Sequence, residues 1–289
     1  MDYLLTILIM ACIYAILTLS LNLLVGYTGI PSFAHGAFFG VGAYVVALLL
    51  LKLSMPWFAA VLIAVVVTGL LAALVGLPAL RLGGDYFFLA CFAIIFITVS
   101  ILFNWRDLTN GAYGLLGIPR PSFFGERVGS GLPFLLLSAA ALGVVWLVIW
   151  RLVHSPWGLT LQAVRDDPLV ARTLGRDVTR ARVLAFGIAG GLAAVAGGLF
   201  ASYYGVIEPN AFGVPIVILL FSMLFIGGAG NLYGPVLGAV LLLLLPEGLR
   251  LLGLPGVKAA EIQQVIYGLL LVVLMLFRPQ GLVGKHLVE

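Results

Sequence analysis

Charged side chains are scarce in this sequence, because Asp, Glu, Lys and Arg make up 9% of its 289 residues while 63% are hydrophobic. A soluble domain carries about 25% charged residues, so this chain cannot cover a water-facing surface. The scarcity excludes an ordinary soluble domain and predicts that lipid is the main solvent. The 36 glycines and 14 prolines predict close helix contacts and helix breaks buried within protein.

Residues that carry chemistry are also few. Cys12 and Cys91 both lie in apolar runs and fit no metal-ligand spacing, so no metal site is expected. The chain has no G-x-x-x-x-G-K-[ST] phosphate-binding loop, and no nucleophile stands beside a base. Asp166 and Asp167 are adjacent, so on a helix their side chains would point about 100° apart. These absences argue against an enzyme and against a cofactor bound by this chain.

Long apolar stretches dominate what is present. A membrane-spanning helix requires about 20 mainly apolar residues, with a range of about 17–25. Nine stretches are candidates, of which some are short, so eight to ten is the expected range: 3–25, 34–51, 57–79, 86–103, 132–153, 183–204, 213–227, 234–252 and 262–277. We therefore expect an all-α, polytopic membrane protein, a single domain over residues 1–289, in which Gly-rich segments break some helices.

The basic residues predict how the chain is oriented. Arginines concentrate in residues 154–182, and Lys and Arg are enriched in cytoplasmic loops. If this loop is cytoplasmic, alternation of the spans puts the N-terminus outside and the C-terminus in the cytoplasm. The net charge of +4 is then explained by basic residues that hold loops on the cytoplasmic side of the membrane. No nucleic-acid partner is expected.

The stretch LQAVRDDPLVARTLGRDVTRAR (161–182) predicts a short capped helix within that loop. Asp167 suits the N-cap, Pro168 the first helical position and Gly175 the left-handed residue after the end. Three apolar side chains would form a ridge: Leu169, Val170 and Leu174. A helix of two turns is marginal in water, so we expect a cytoplasmic partner to dock on it. Charge alone fits equally well a solvated loop that only fixes topology.

Four stretches carry a family resemblance: GLTLQAVRDDPLVARTLGRDVTRARVLAFGIAGGLAAVAGGLFA (158–201), LNLLVGYTGIPSFAHGAFFGVGAY (21–44), RLGGDYFFLACFAI with LTNGAYGLLGIPRP (81–94 and 108–121), and LFIGGAGNLYGPVLGAVLL (224–242). They resemble the corresponding segments of branched-chain amino-acid ABC-transporter permeases of the LivM type. The resemblance covers nearly the whole chain, and 158–201 and 224–242 are its most specific parts.

The resemblance implies that residues 154–182 form a cytoplasmic coupling loop whose helix seats in a groove of an ATPase. This role is carried over to Arg165, Asp166, Asp167, Pro168, Ala171, Leu174 and Gly175. ATP would be hydrolysed on two partner ATPase subunits, which would drive alternating access. A second related permease subunit, forming a heterodimer, and an extracytoplasmic solute-binding protein would complete this importer in the prokaryotic cell (inner) membrane.

The implied solute is an amino acid of the branched-chain class, taken up inward. The sequence departs from the family in the fourth span, where an acidic or amide residue is expected and only Thr98 and Ser100 are polar. Urea or a short amide is therefore the alternative solute. An ion-coupled carrier or a channel is the alternative class, but the interiors of the third to seventh spans contain no charged residue that would relay ions.

The stretch GYTGIPSFAHG (26–36) predicts irregular backbone at the mouth of a span, which persists in a membrane only where it is buried in protein or lines a wet cavity. Four polar residues there are candidates for a substrate pathway: Tyr27, Thr28, Ser32 and His35. A lone histidine such as His35 is more often a hydrogen-bonded packing residue than a ligand. Asn231 and Tyr233, in a second Gly-rich turn, are the matching candidates, and simple turn chemistry is their alternative explanation.

The two Gly-rich turns also resemble each other. Residues 29–40 and 230–238 each run from a turn into a G-x-x-x-G helix start, with Gly36 and Gly40 in the first and Gly234 and Gly238 in the second. Small residues four apart let two helices approach closely. The pairs are explained either as helix-packing glycines or as an inexact internal repeat of the kind that places a transport site between two halves.

Overall fold

The computed structural model describes residues 2–82, 84–123, 126–129, 131–251, 269 and 281–283. Its α-helices follow in chain order as α1 (Asp2–Thr28), α2 (His35–Leu53), α3 (Trp57–Leu82), α4 (Gly84–Asn104), α5 (Arg106–Thr109), α6 (Leu132–Val153), α7 (Pro156–Asp166), α8 (Pro168–Thr173), α9 (Val178–Tyr204), α10 (Val214–Gly227) and α11 (Tyr233–Leu251). Two 3₁₀ turns, Gly111–Tyr113 and Pro209–Phe212, lie in the connections.

Most of these helices are long and apolar. Within the described residues, seven segments qualify as membrane spans: Tyr3–Thr28, His35–Leu53, Trp57–Leu82, Gly84–Asn104, Leu132–Val153, Val178–Tyr204 and Pro209–Gly227. An eighth apolar helix, Tyr233–Leu245, is shorter. The expected span 262–277 lies outside the described residues. The prediction of an all-α polytopic membrane protein is confirmed, and the expected count of about nine fits approximately.

Local sequence explains where several helices begin and end. Pro133 occupies the first turn of α6, where its missing N–H is not needed. Asp177 caps α9 by accepting a hydrogen bond from the backbone N–H of Arg180, at 2.9 Å. At its other end α9 stops at Gly205, whose φ of 70° is left-handed. These caps fix both ends of α9, which at 27 residues is as long as α1.

Helix α9 lies at the centre of the bundle and packs against α1, α2 and α3. The contact is close because the facing residues are small: a Cβ built on Gly69 or on Gly187 would meet the other residue's carbonyl oxygen at 3.0 or 3.1 Å. Trp57 adds a polar link between α3 and α9, donating from Nε1 to Ser202 Oγ at 2.8 Å. Close packing and hydrogen bonds of this kind hold membrane helices together. The hydrophobic effect contributes little to their association, because lipid is as apolar as the side chains.

The bundle has two distinct ends. At one end lie the turn between α1 and α2, the turn between α3 and α4, the helices α7 and α8, and the turn between α10 and α11. We call residues 155–177 the arm, and this the arm end. At the opposite end Tyr203, late in α9, donates a hydrogen bond to Thr6 in the first turns of α1, at 2.8 Å.

Short strands lie in the connections remote from the arm. Strand β1 (Leu115–Leu116) pairs antiparallel with β4 (Val206–Ile207), and β2 (Ser122–Phe123) pairs antiparallel with β3 (Glu126–Arg127). The β1–β4 pair ties the connection after α4 to the connection after α9. Apolar periodicity gives no sign of two-residue strands, and the sequence analysis did not anticipate them.

Candidate functional site

The arm begins with a helix that the sequence analysis did not separate from the rest of the loop. Ser155 caps α7, its Oγ accepting from the backbone N–H of Gly158 at 3.3 Å, and Pro156 occupies the first position. One face of α7 is buried through Leu161 and Val164. The arm is therefore held against the bundle by an amphipathic helix rather than extending freely into water.

The second helix of the arm, α8, has the predicted N-terminal cap. Asp167 Oδ1 accepts hydrogen bonds from the backbone N–H groups of Leu169, at 2.7 Å, and Val170, at 3.1 Å, and Pro168 follows the cap. These bonds satisfy two of the donors that a helix start leaves free. The predicted cap of α8 is confirmed. The coupling role of these residues stays a prediction.

The C-terminal end of α8 has a Schellman arrangement. Gly175 has φ +76°, and its N–H bonds to the carbonyl of Arg172 at 2.9 Å. The N–H of Arg176 bonds to the carbonyl of Ala171 at 3.0 Å. Glycine suits this left-handed position because it has no Cβ. Caps at both ends explain how a helix of six residues is stable here.

The outer face of α8 is apolar and exposed. Leu169, Val170 and Leu174 are 70%, 51% and 72% exposed, and we call these three residues the arm tip. Ala171 is only 1% exposed, so it packs α8 against the bundle and contributes nothing to the outer face. Exposed cations surround the arm tip: Arg172, Arg176 and Arg180. The arm tip lies outside the helices that are long enough to span a membrane.

Arg165, in the last turn of α7, points towards the bundle. Its Nη1 donates to the carbonyl oxygen of Gly26 at 2.8 Å, and its Nε and Nη2 contact Asp166 Oδ1 at 2.9 and 2.8 Å. Its side chain passes Gly29, where a built Cβ would lie 2.8 Å from Arg165 Cγ. Arg165 thus connects the arm to the end of α1, while Asp166 orients its guanidinium.

A buried amide completes this connection. Asn22 is fully buried; its Oδ1 accepts from the N–H of Gly230 at 2.9 Å, and its Nδ2 donates to the carbonyl of Asn231 at 2.8 Å. Asn22, in α1, therefore holds the turn between α10 and α11 directly against the last turns of α1. We call Asn22, Gly26, Arg165, Gly230 and Asn231 the junction.

Gly26 permits this close approach. A Cβ at Gly26 would overlap Asn22 Oδ1 and the backbone nitrogen of Gly230, and would lie 2.9 Å from Gly230 Cα. No other residue type fits between α1 and the second turn without displacing one of them. The two Gly-rich stretches are thus in contact at one point, and the arm contacts the same point through Arg165.

The sequence analysis missed Asn22. An amide within the apolar run LTLSLNLLVG is a signal in itself, because polar residues inside membrane spans are costly and tend to find a polar partner. Its partners lie 208 and 209 residues away, so nothing local reveals them. The inward direction of Arg165 was missed for the same reason.

The pathway candidates of the first turn are buried. Tyr27 is 6% exposed, and Thr28, Ser32 and His35 are fully buried. Thr28 Oγ1 donates to the carbonyl of Leu23 at 2.7 Å, which closes the end of α1. The turn itself is fixed by Phe33, whose ring stacks at 4.7 Å on both Phe92 of α4 and Phe221 of α10.

His35 has one partnered and one unpartnered ring nitrogen. Its Nε2 lies 2.7 Å from Ser20 Oγ, which in turn donates to the carbonyl of Leu17 at 2.7 Å. Because the Ser20 proton is used on Leu17, Nε2 must donate, and Nδ1 is left as a buried acceptor without a partner. Ser32 Oγ is also buried without a partner. These two atoms give the first turn unused hydrogen-bonding capacity.

The candidates of the second turn have different surroundings. Asn231 Oδ1 accepts from the N–H of Tyr233 at 3.1 Å, and its Nδ2 donates to the carbonyl of Val283 at 2.8 Å, so its side chain organises the turn. Tyr233 is 61% exposed, and its ring lies 6.1 Å from that of Trp146 on the outer face of α6. The structure brings Asn231 to the junction but leaves the Tyr233 ring outside it.

The four packing glycines lie on both sides of α10. A Cβ on Gly36 would meet Val217 at 2.8 Å, and one on Gly40 would meet the Phe212 ring at 2.8 Å. On the other side, Gly234 and Gly238 approach the backbone of α10 so closely that a Cβ would overlap its carbonyl groups. Helices α2 and α11 therefore both use a G-x-x-x-G start to contact α10 or the turn that precedes it.

Metal ligation has no obvious place in this arrangement. Among the described residues, no three His, Cys, Asp or Glu side chains lie together as metal ligands would. The site consists instead of backbone carbonyls, amides and one guanidinium at the meeting point of two turns and an arm. These groups can donate and accept hydrogen bonds. Because they connect α1, the turn between α10 and α11 and the arm, a shift of one segment would displace the others.

Comparison with known proteins identifies the family. Residues 3–275 match the family described as branched-chain amino acid transport system / permease component. The chain is 32% identical to the high-affinity branched-chain amino acid transport system permease protein LivM of Salmonella typhimurium, over 94% of this chain and 68% of that protein. It is 27% identical to the probable branched-chain amino acid transport permease protein LivM of Methanocaldococcus jannaschii, over 94% of this chain and 91% of that protein.

Similarity extends to a second type of permease. The high-affinity branched-chain amino acid transport system permease protein LivH of Salmonella typhimurium is 27% identical, over 96% of this chain and 92% of that protein. No solved structure matches the chain. The match over nearly the full length agrees with the polytopic helical fold, and the chain belongs to the family of branched-chain amino acid transport system permease components.

Proposed function

We propose that this chain is the membrane-spanning permease subunit of an ATP-driven importer that moves branched-chain amino acids inward by alternating access. The observation that carries the proposal is the hydrogen bond from Arg165 of the arm to Gly26 at the meeting point of the two Gly-rich turns. A partner that moves the arm would move this point. The names of the relatives support the branched-chain class of solute.

Docking of an ATPase subunit on the arm tip is the first step. Leu169, Val170 and Leu174 expose apolar surface outside the spans, and burying it on a partner is favourable. The exposed arginines Arg172, Arg176 and Arg180 outnumber the nearby carboxylates of Asp167 and Asp177, which leaves an excess of positive charge around the arm tip. A partner groove with an apolar floor and acidic rim is therefore complementary.

Transmission through α7 is the second step. Helix α7 has 11 residues, so at about 1.5 Å per residue it is a rigid rod of about 16 Å. Its last turn carries Arg165, directly beside the Asp167 cap of α8. A push on α8 is thus delivered to the carbonyl of Gly26, and through Asn22 to the turn at Gly230.

Gating at the first turn is the third step. Ser32 Oγ and His35 Nδ1 are buried atoms with unused hydrogen-bonding capacity, a few residues from the end of α1 that Arg165 holds. Movement of this turn would uncover them to a zwitterionic solute. In the conformation described here both atoms are buried, as a closed state of the proposed cycle requires.

Similarity to two kinds of permease supports the partner subunits that we propose for this chain. Because the chain is similar to both LivM and LivH proteins, we assign it a related permease as partner in a heterodimer. Two cytoplasmic ATPase subunits would bind and hydrolyse ATP, since the chain has no phosphate-binding loop. A solute-binding protein would deliver the amino acid from outside.

The positions of the two ends support the proposed orientation in the cell (inner) membrane. The arm, with its arginines, is placed in the cytoplasm. Leu282 and Val283 hydrogen-bond to the last turn of α10 at the arm end, which supports a cytoplasmic C-terminus. The start of α1 lies beside Tyr203 at the opposite end, which supports an N-terminus outside. The C-terminal residues 284–289 lie outside the described residues.

Purification of the whole complex tests this proposal. The tagged full-length chain, carrying Leu174→Cys, is extracted from its own cells in mild detergent, and a bifunctional thiol-to-amine cross-linker is added. We expect an ATPase subunit and a related permease to co-elute, with the ATPase cross-linked through residue 174. Thr6→Cys, at the opposite end, is the matched control that leaves the ATPase unlinked. Elution without any ATPase would contradict the proposal.

A further inference from the structure

A cavity of about 320 Å³ opens beside the first turn at the arm end. Its walls come from four separate parts of the chain: residues 29–31, Leu80 of α3, Gly84, Phe87 and Phe88 of α4, and Arg182 of α9. The walls are mostly apolar, and the guanidinium of Arg182 is the charged group among them. The arrangement combines one cation with aromatic and aliphatic surface.

Arg182 has no anionic partner within the described part of the chain. Its Nε is buried and makes no hydrogen bond, and no ion pair to it is formed. Asp85 follows Gly84 in the cavity wall, yet it is exposed and forms no salt bridge with Arg182. Among the described residues, the charge found to act on Arg182 is that of another cation, Arg172. A half-buried guanidinium without a counter-ion is costly, so this site favours an anion.

The surroundings of the cavity favour an anion that carries hydrocarbon. Three large apolar side chains around the start of α4 are exposed: Leu82 (56%), Tyr86 (70%) and Leu89 (64%). They belong to helices that qualify as membrane spans, which makes lipid their expected surroundings. The cavity-lining residues Leu80 and Phe88 are close in sequence to these exposed side chains, so the cavity lies beside this apolar surface at the arm end.

We propose that this cavity binds the phosphodiester of an anionic phospholipid. The phosphate would lie against the guanidinium of Arg182, whose planar fork of donors matches phosphate oxygens. The acyl chains would extend along Leu82 and Leu89 of α3 and α4. Arg172 adds positive potential, which selects anionic over zwitterionic lipids. The bound lipid supplies the counter-ion that the chain itself does not.

Native mass spectrometry of the purified full-length chain, with whatever subunits co-purify, tests the proposal. After delipidation, the protein is titrated with phosphatidylglycerol, with phosphatidylcholine of the same acyl chains, and with inorganic phosphate. We expect phosphatidylglycerol to be retained most tightly and Arg182→Gln to lower that retention at least about ten-fold, equivalent to about 1.4 kcal/mol. Arg182→Lys, which keeps the charge but not the fork, should retain an intermediate amount.

Arg180→Gln is the matched control, since it removes one exposed arginine two residues away on the same helix. Its retention of phosphatidylglycerol should equal that of the unaltered chain. Equal retention by Arg182→Gln and the unaltered chain would overturn the proposal. So would displacement of the lipid by millimolar inorganic phosphate or leucine, because either result would identify a site for a small phosphate or carboxylate group instead.

Discussion

Arg165 Nη1 and the carbonyl oxygen of Gly26 lie 2.8 Å apart, although 139 residues separate them in the chain. The bond connects the arm, which carries exposed apolar residues, to the end of α1, which carries the first Gly-rich turn. Asn22 extends the connection to the second turn at Gly230. Three segments that are distant in sequence therefore meet in one small hydrogen-bonded unit.

Replacement of Arg165 by Gln should uncouple the arm from the bundle. A hydrogen bond to a charged group contributes about 1.5–3 kcal/mol, so we expect ATP-driven uptake to fall by about 10- to 100-fold. The ATPase should still bind, because the arm tip is unchanged. Uptake and ATPase content are measured on the same proteoliposomes.

The control for this prediction is Arg81→Gln, which removes an exposed arginine at the same end of the molecule. Its uptake should equal that of the unaltered chain. If Arg165→Gln transports as well as Arg81→Gln, the junction does not transmit motion.

Charges on the arm tip should abolish docking. The double replacement Leu169→Asp and Leu174→Asp places carboxylates on the two most exposed residues of the arm tip, where they would have to be desolvated against the partner. We expect solute-stimulated ATP hydrolysis to be lost, while membrane insertion stays intact. Ala171 is left unaltered, because it is buried and a carboxylate there would disrupt the arm itself.

Thr173→Asp adds one carboxylate at another exposed position of α8, outside the arm tip, and is the control. It should keep at least half of the stimulated hydrolysis. Full stimulation in the Leu169/Leu174 double variant would remove the docking role from the arm tip.

Gly26→Ala should destabilise the bundle. The added methyl group overlaps the backbone of Gly230 and the side chain of Asn22, and overpacking of this kind costs about 1–3 kcal/mol. The thermal unfolding midpoint in detergent should therefore fall. Gly143→Ala, at a helical position with nothing within 4 Å, is the matched control and should leave the midpoint unchanged or slightly higher. Equal midpoints for both variants would show that the close contact is absent.

A cysteine at Ser32 should report gating. Ser32 is fully buried, so Ser32→Cys should resist a water-soluble thiol reagent in the conformation described here and react in another nucleotide state. The experiment requires a background in which Cys12 and Cys91 are Ala, because either native thiol could react with the reagent. Thr173→Cys, exposed on the arm, should label in every state. Identical labelling of Ser32→Cys in all nucleotide states contradicts a moving turn.

Local features of this molecule could be predicted from the sequence. The apolar runs predicted the spans, since a helix needs about 20 apolar residues whatever surrounds it. Asp167, Pro168 and Gly175 predicted α8, because capping depends on residues within one or two turns. Such inferences succeed where the cause and the effect lie within a few residues of each other.

Long-range features could not be predicted in the same way. The partners of Asn22 are more than 200 residues away, and no local pattern distinguishes Arg165, which points inward, from Arg172, which is exposed. The family resemblance assigns the same coupling role to Ala171 and Leu174, yet Ala171 is buried and Leu174 is exposed. Each of these facts depends on which helix packs against which, and the resemblance to a family does not specify that.

The most direct test of the central claim is solute uptake by proteoliposomes that contain the complete complex or this chain alone. We predict uphill accumulation of leucine only in the complete complex with ATP, and none from the chain alone under a proton or sodium gradient. Accumulation by the isolated chain on such a gradient would contradict the account.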